Sequence, residues 1–287
     1  MSTLTDYHVH LRPDDITATP DEYFTAANIE RYLSAAAEVG VTELGCAEHM
    51  YRFTAALDVW DHEFWKEWSL NDLDQYCETV GASEMKLGIE ADFVAGREEQ
   101  LEQMLSPRPF DFVVGSVHFI GDESMDTEEY SVWNDRSDPD AIWRRYFETL
   151  AEAASCGLFD ILAHPDLVKV WGRASQLPSR DLDFYYEPAI EAIAASGIAV
   201  EISTAGQRKG VGEIYPAPRF LEMCLDAGAT FALSSDAHSP EQIAFRYDTA
   251  LELMEGYGIR EIAVFEGRQR RTEPLAQAVG RSAGAGD

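Results

Sequence analysis

The chain has 287 residues, 46% hydrophobic and 26% charged, and its 52 acidic against 22 basic residues give a formal charge of −30. That length suits one α/β domain with a sizeable core, the acidic surface repels phosphate backbones and speaks against a nucleic-acid binder, and no apolar run is long enough to suggest a membrane span. Four scattered cysteines (Cys46, Cys77, Cys156, Cys224) form no Cys-x-x-Cys pair, so reduced thiols and, with no leader pattern at the N-terminus, a cytoplasmic location are expected.

In chain order, Asp6-Tyr7-His8-Val9-His10 reads as the end of a short strand. Alternation puts His8 and His10 on one face and Tyr7 and Val9 on the other, so two imidazoles can share one metal. After the loop Leu11–Asp15, Thr19 caps a helix that Pro20 opens and that runs to about Val39. Val41–Ala47 is a second strand, ending in Glu48-His49. An aromatic stretch over 50–80 holds Trp60, His62, Trp65 and Trp68, with a short helix from Asn71 or Asp72. His62 reads as an aromatic-packing residue. Met85–Glu90 is the third strand, a helix covers 97–105, and Phe110–His118 is the fourth strand. A long acidic loop from Gly121 to Asp140 has the length of a functional lid. A helix over 139–156 leads to the fifth strand, Phe159–His164. A helix over 184–196 precedes the sixth, Ile198–Ile202, which runs into the basic Gly-rich loop Gly206–Gly212. A helix from Pro218 to Ala227 leads to Phe231–Asp236, and His238 lies just beyond. Ser239-Pro240-Glu241 opens a helix to Gly256, and Glu261–Phe265 is a late strand.

Strand–helix alternation implies a parallel sheet. Seven such units favour a TIM-like (β/α)7 barrel as a single domain over residues 1–270, with an Ala/Gly-rich tail over 271–287 that is expected to be disordered. In such barrels the site lies at the C-terminal ends of the strands. Six of the seven histidines, His8, His10, His49, His118, His164 and His238, fall at or just past a predicted strand end. Asp15, Glu48, Glu90, Glu201 and Asp236 accompany them. Imidazoles and carboxylates without cysteine suit a catalytic Zn, Fe or Mn centre. The donors are too many for one ion, so two or three divalent metals with a bridging carboxylate are expected.

The segments Asp6–His10, Ala47–His49, Gly88–Glu90, Val114–Ile120, Ala163–Leu167, Glu201–Gly206 and Ser234–His238 make the chain resemble the PHP (polymerase and histidinol phosphatase) superfamily, within it the monofunctional histidinol-phosphate phosphatase branch. The resemblance spans about residues 5–268. The run Gly115–Ile120 and the segment Arg208–Pro216 match that branch in particular. The resemblance implies a distorted (β/α)7 barrel with three clustered metals. His8, His10, Glu90 and Asp236 would hold the first. Glu90 would bridge to the second, with His118 and His164. Asp15, His49 and His238 would hold the third, with Asp14 the adjacent alternative. Glu48 and Glu201 would orient imidazoles.

A metal-activated hydroxide would then hydrolyse a small-molecule phosphate monoester, L-histidinol phosphate, with positioning and charge stabilisation supplying most of the catalysis. Arg208 is the expected phosphate clamp. Lys169 and Ser116 join it as substrate contacts, and Arg12 and Arg52 are further basic candidates. Asp236, His238 and Arg208 form the expected catalytic set. The alternative readings are a nucleotide phosphoesterase and a catalytically silent PHP module. Asp122, Glu123, Tyr130 and Trp133 would form an acidic, aromatic rim for a cationic substrate.

Overall fold

The computed structural model describes residues 2–15, 20–134 and 137–276. The strand-forming runs are apolar and rich in small residues, which suits strands covered on both faces. They are β1 (Thr5–Asp6), β2 (Glu43–His49), β3 (Lys86–Asp92) and β4 (Phe112–Ser116), then β5 (Phe119–Ile120) and β6 (Glu123–Ser124), which form a small hairpin. β7 (Ile161–Leu162), β8 (Ala199–Ser203) and β9 (Phe231–Ser234) complete one parallel sheet in the order β1-β2-β3-β4-β7-β8-β9. Its edges meet where Val9 bridges Ala237 in parallel and the His10 N–H donates to the Ala237 carbonyl at 2.7 Å. The result is the expected nearly closed (β/α)7 barrel.

The helices are α1 (Pro20–Tyr23), α2 (Ala26–Glu38), α3 (Glu63–Trp68), α4 (Leu73–Gly81), α5 (Glu98–Leu105), α6 (Pro139–Ser155), α7 (Asp183–Ser196), α8 (Pro218–Asp226) and α9 (Tyr247–Gly256). None among the described residues is long and apolar enough to cross a membrane. An antiparallel hairpin of β10 (Glu261–Glu266) and β11 (Gln269–Pro274) packs beside β9.

Inside the barrel, Tyr7, Phe112 and Phe265 form an aromatic plug, with ring centroids 4.9 Å (Tyr7–Phe112) and 5.9 Å (Tyr7–Phe265) apart. Gly88 makes room for it: a Cβ there would lie 2.3 Å from the Phe112 ring. The plug closes the barrel interior, and the site is left to the strand ends.

Several boundaries differ from the sequence reading. β1 leaves regular pairing after Asp6, so strict alternation does not carry through Val9. Tyr7 joins the plug while its neighbour His8 reaches Glu201 on β8. The helix expected from Pro20 to Val39 breaks at Phe24–Thr25, where the Thr25 side chain caps α2 by accepting from the Asn28 N–H. The expected cap Thr19 lies outside the described residues. The helix expected after Ser239 begins at Tyr247, because the chain turns at Ala244 and Arg246 (φ 53° and 52°) and the Ala244 N–H donates to buried Asp6. Residues 271–274, expected in the tail, belong to β11, whose pairing with β10 extends to Pro274. Residues 277–287 lie outside the described residues.

Candidate metal centre

The parallel register builds the floor of the site. His49 at the end of β2 pairs directly with Glu90 on β3, and both face the barrel mouth. His8 and His10 follow β1, His118 lies two residues past β4, His164 two past β7, and Asp236 two past β9. His164 and Asp236 have φ of 22° and 53°. For residues with a side chain such backbone costs about 1–3 kcal/mol and persists where the surroundings enforce it. Here it turns two donors inward as their strands end.

Three donor groups result. In the first, His8 Nε2 lies 3.3 Å from Glu90 Oε2, and His10 Nε2 lies 3.2 Å from Asp236 Oδ1. In the second, His118 Nε2 and His164 Nε2 lie 3.4 and 3.2 Å from Glu90 Oε1. In the third, His238 Nε2 approaches His49 Nε2 to 3.4 Å and Asp14 Oδ2 to 3.2 Å, and His10 stacks on both of these imidazoles. Glu90 serves the first two groups with different oxygens, and its Oε2 also meets His49 Nδ1.

These residues fit metal ions. His8 Nε2, His10 Nε2, His49 Nδ1, Glu90 Oε2 and Asp236 Oδ1 are buried and crowd within ion-pair distance of one another, yet none makes an aligned hydrogen bond. Buried polar atoms without hydrogen bonds are costly, and five crowded on one spot suit a shared cation. The chemistry agrees: oxygen and imidazole nitrogen only. Burial opposes charge on His8, but Glu90, Glu201 and Asp236 outweigh it and hold a proton there well above the ordinary histidine range. A bound cation would take the place of that proton. Burial likewise works against ionised Glu90 and Asp236, yet the surrounding imidazoles hold both carboxyls well below their usual range.

Each of three imidazoles is oriented through its other nitrogen. His8 Nδ1 lies 2.8 Å from Glu201 Oε1, and His10 Nδ1 lies 3.3 Å from Glu48 Oε1, as the sequence suggested. His118 Nδ1 lies 2.7 Å from Asp92 Oδ1. Asp92 is absent from the sequence reading, although strand alternation puts it on the same face as Glu90. Fixing the ring and its tautomer in this way raises the ligand strength of the free nitrogen.

The centre opens into a cleft of about 350 Å³ walled by Tyr51, Phe64, Trp68, Phe119, Trp171 and Tyr215. Here four expectations are corrected. Asp14, the alternative, faces the cleft and the imidazoles, and Asp15, whose N–H turns back to the Pro13 carbonyl at 2.8 Å, is not among the residues that line the cleft. Arg208 is not among the residues that line the cleft: its Nη2 donates to the carbonyls of Ser235 and Asp236 at 2.8 and 2.7 Å and braces the ligand loop, while its Nη1 is buried without a hydrogen-bond partner. Lys169 is pinned by Asp166 at 2.8 Å and Glu213 at 3.0 Å, outside the cleft lining. Ser116 is fully buried at the end of β4 and does not line the cleft.

The cation that does face the cleft is Lys209. Lys66, Lys86 and Lys169 pair with carboxylates at 2.8, 3.9 and 2.8 Å. Lys209 makes no ion pair among the described residues. Burial opposes its charge, but Asp236, Asp126 and Asp14 outweigh it and raise its ammonium above the ordinary lysine value. The rim also differs from expectation. Asp126, Thr127 and Glu128 line the cleft, whereas Asp122 sits in a neighbouring groove and Glu123 faces Arg145 at 4.0 Å. Tyr130 packs on His62 and Phe64, and Trp133 against the core. His62 stacks on Trp60 and caps α3, the packing role read from its sequence.

Fold and site together define a parallel α/β barrel with a clustered imidazole–carboxylate centre at its C-terminal mouth. The PHP domain family model matches residues 22–205. A probable histidinol-phosphatase of Deinococcus radiodurans is 31% identical over 283 residues, 96% of this chain and 100% of the relative. A probable histidinol-phosphatase of Schizosaccharomyces pombe is 26% identical over 197 residues, 63% of this chain and 62% of that one. Among solved structures, the histidinol phosphate phosphatase of Lactococcus lactis, crystallised with Zn, L-histidinol and phosphate, aligns with a TM-score of 0.66 at 20% identity, covering 94% of this chain and 100% of that one. A putative histidinol phosphatase of Listeria monocytogenes aligns with a TM-score of 0.69 at 17% identity, covering 86% and 98%. The chain belongs to the PHP family.

Proposed function

We propose that the chain is a metal-dependent phosphomonoesterase that hydrolyses L-histidinol phosphate to L-histidinol and phosphate, a step of histidine biosynthesis. One observation carries this reading: buried imidazole and carboxylate atoms that make no aligned hydrogen bond crowd around Glu90 at the floor of a cleft that also holds a lysine without an ion pair among the described residues. The 31% identical relative named as a probable histidinol-phosphatase, covered along its whole length, supports the choice of ester.

Two or three divalent ions, Zn, Fe or Mn by their donors, would be held by His8, His10, Glu90 and Asp236, by Glu90, His118 and His164, and by Asp14, His49 and His238. Bound there, such ions acidify water and neutralise phosphoryl oxygens. The protein's own part is placement. Glu48, Glu201 and Asp92 hold three imidazoles in fixed orientation. Lys209 brings positive charge to the phosphoryl end of the substrate. The aromatic walls thin the water around the reacting ester, which strengthens each charge contact. Asp126 and Glu128 give the wall the negative charge that suits a substrate bearing an ammonium group. Asp236 and His238 line the same cleft and are available to relay a proton to the departing alkoxide.

Phosphate release from L-histidinol phosphate, p-nitrophenyl phosphate and a nucleoside monophosphate, measured side by side on metal-loaded protein, tests the assignment. L-Histidinol phosphate should give the highest kcat/KM. A preference for the nucleotide would reject the proposed substrate.

A further inference from the structure

Arg52 is fully buried, yet it lies within the acidic surroundings of the centre and touches none of the donor nitrogens. It ends the single 3₁₀ turn Met50–Arg52 that follows β2, and its guanidinium spans three partners. Nη1 donates to Glu48 Oε1 and to the Arg12 carbonyl, each at 2.5 Å, and Nη2 donates to Asp14 Oδ1 at 2.5 Å. Glu48 faces His10 through the same Oε1 and accepts from the Arg12 N–H with Oε2 at 3.2 Å. Asp14, by contrast, sits on a loop with its side chain 51% exposed. Its other oxygen, Oδ2, faces His238 Nε2. Arg52 thus holds one oxygen of Asp14 and leaves the second aimed at the imidazoles.

We propose that Arg52 is a positioning residue for the third donor group: it clamps Asp14 to the carboxylate that orients His10, so that the weakest-anchored donor is delivered to His49 and His238. The inference rests on the metal reading given above. A planar fork is needed because two carboxylates and a carbonyl lie in different directions around one buried point, and only guanidinium presents fixed donors to all of them. Lysine in its place keeps a charge for Glu48 but cannot also span to Asp14. Asp14 is the only donor of the three groups whose side chain is more than half exposed, so the third group depends most on an outside brace.

The test uses the full chain loaded with Zn²⁺ and dialysed, with zinc counted by mass spectrometry and affinities measured against a chromophoric chelator. Arg52→Lys and Asp14→Asn should each weaken the most loosely held zinc by about 10- to 100-fold. The tighter zinc should stay, and the double variant should lose no more than either single one. Thermal unfolding shows whether Arg52→Lys is folded. If it is not, Arg52→Gln, whose amide keeps a donor for Glu48 and so leaves His10 oriented, should show the same selective loss. Unchanged affinity at every zinc in a folded Arg52 variant would overturn the proposal, as would equal weakening of all of them. An unaltered chain that retains no zinc would reject the metal reading itself, and the proposal with it.

Discussion

Glu90 is the residue on which the chemistry turns. Its two oxygens face five imidazoles, and among the described residues no lysine or arginine pairs with it. Lys209 is its counterpart at the cleft wall, the one lysine without an ion pair among the described residues. A hydrogen bond to a charged group contributes about 1.5–3 kcal/mol, so Lys209→Met should lower kcat/KM by about 10- to 100-fold. It should weaken inhibition by inorganic phosphate alongside and leave metal content and Tm unchanged. Phosphate inhibition equal to that of the unaltered protein would remove Lys209 from the substrate site. The sequence made most of the donors legible because histidines at strand ends are rare and their spacing survives any small error in strand boundaries. It could not choose between Asp14 and Asp15, since neighbouring loop residues carry no periodicity. It weighted Arg208 over Lys209 on chemistry alone, whereas tertiary structure puts Lys209 in the cleft lining and gives one nitrogen of Arg208 to the Ser235 and Asp236 carbonyls. Asp92 was readable from alternation two residues past Glu90.

At the scale of elements, the loops after β7 and β8 interlock beside the cleft. Gly172 has φ of 62°, and a Cβ there would lie 2.4 Å from the Gly210 carbonyl oxygen. The Val211 N–H donates to the Val170 carbonyl at 2.9 Å, and the Trp171 indole N–H donates to the Met125 carbonyl at 2.8 Å. Three loops are therefore tied together, one carrying Lys209 and another Asp126 and Glu128. Gly172→Ala meets both a backbone penalty, about 1–3 kcal/mol, and a steric one. It should displace the Lys209 loop, reducing kcat/KM while the metal count stays the same. Loss of metal together with activity would show that these loops support the centre rather than the substrate. The number and order of strands followed from alternating apolar runs and helix caps. Their lengths did not: β1 and β7 are two residues each because His8, His10 and His164 leave the ladder to reach the centre.

At the scale of the molecule, 52 acidic residues against 22 basic ones repel one another in the compact state. Raising KCl from about 0.1 to about 1 M shortens the screening length from about 10 to about 3 Å. The Tm should rise by at least about 3 °C, roughly 1 kcal/mol for a chain of this size. A Tm that falls with salt would mean that attractive surface pairs outweigh the net repulsion. The acidic balance also makes the centre's demand for cations plain, since the donors gather negative charge with few basic residues to offset it. The measurement closest to the central claim is removal and return of metal. Protein stripped by chelation should release no phosphate from L-histidinol phosphate, and activity should return in proportion to the divalent metal bound per chain. Full activity in protein shown to hold less than about a tenth of an equivalent of metal would contradict the account, because positioning by the protein alone would then suffice for the reaction.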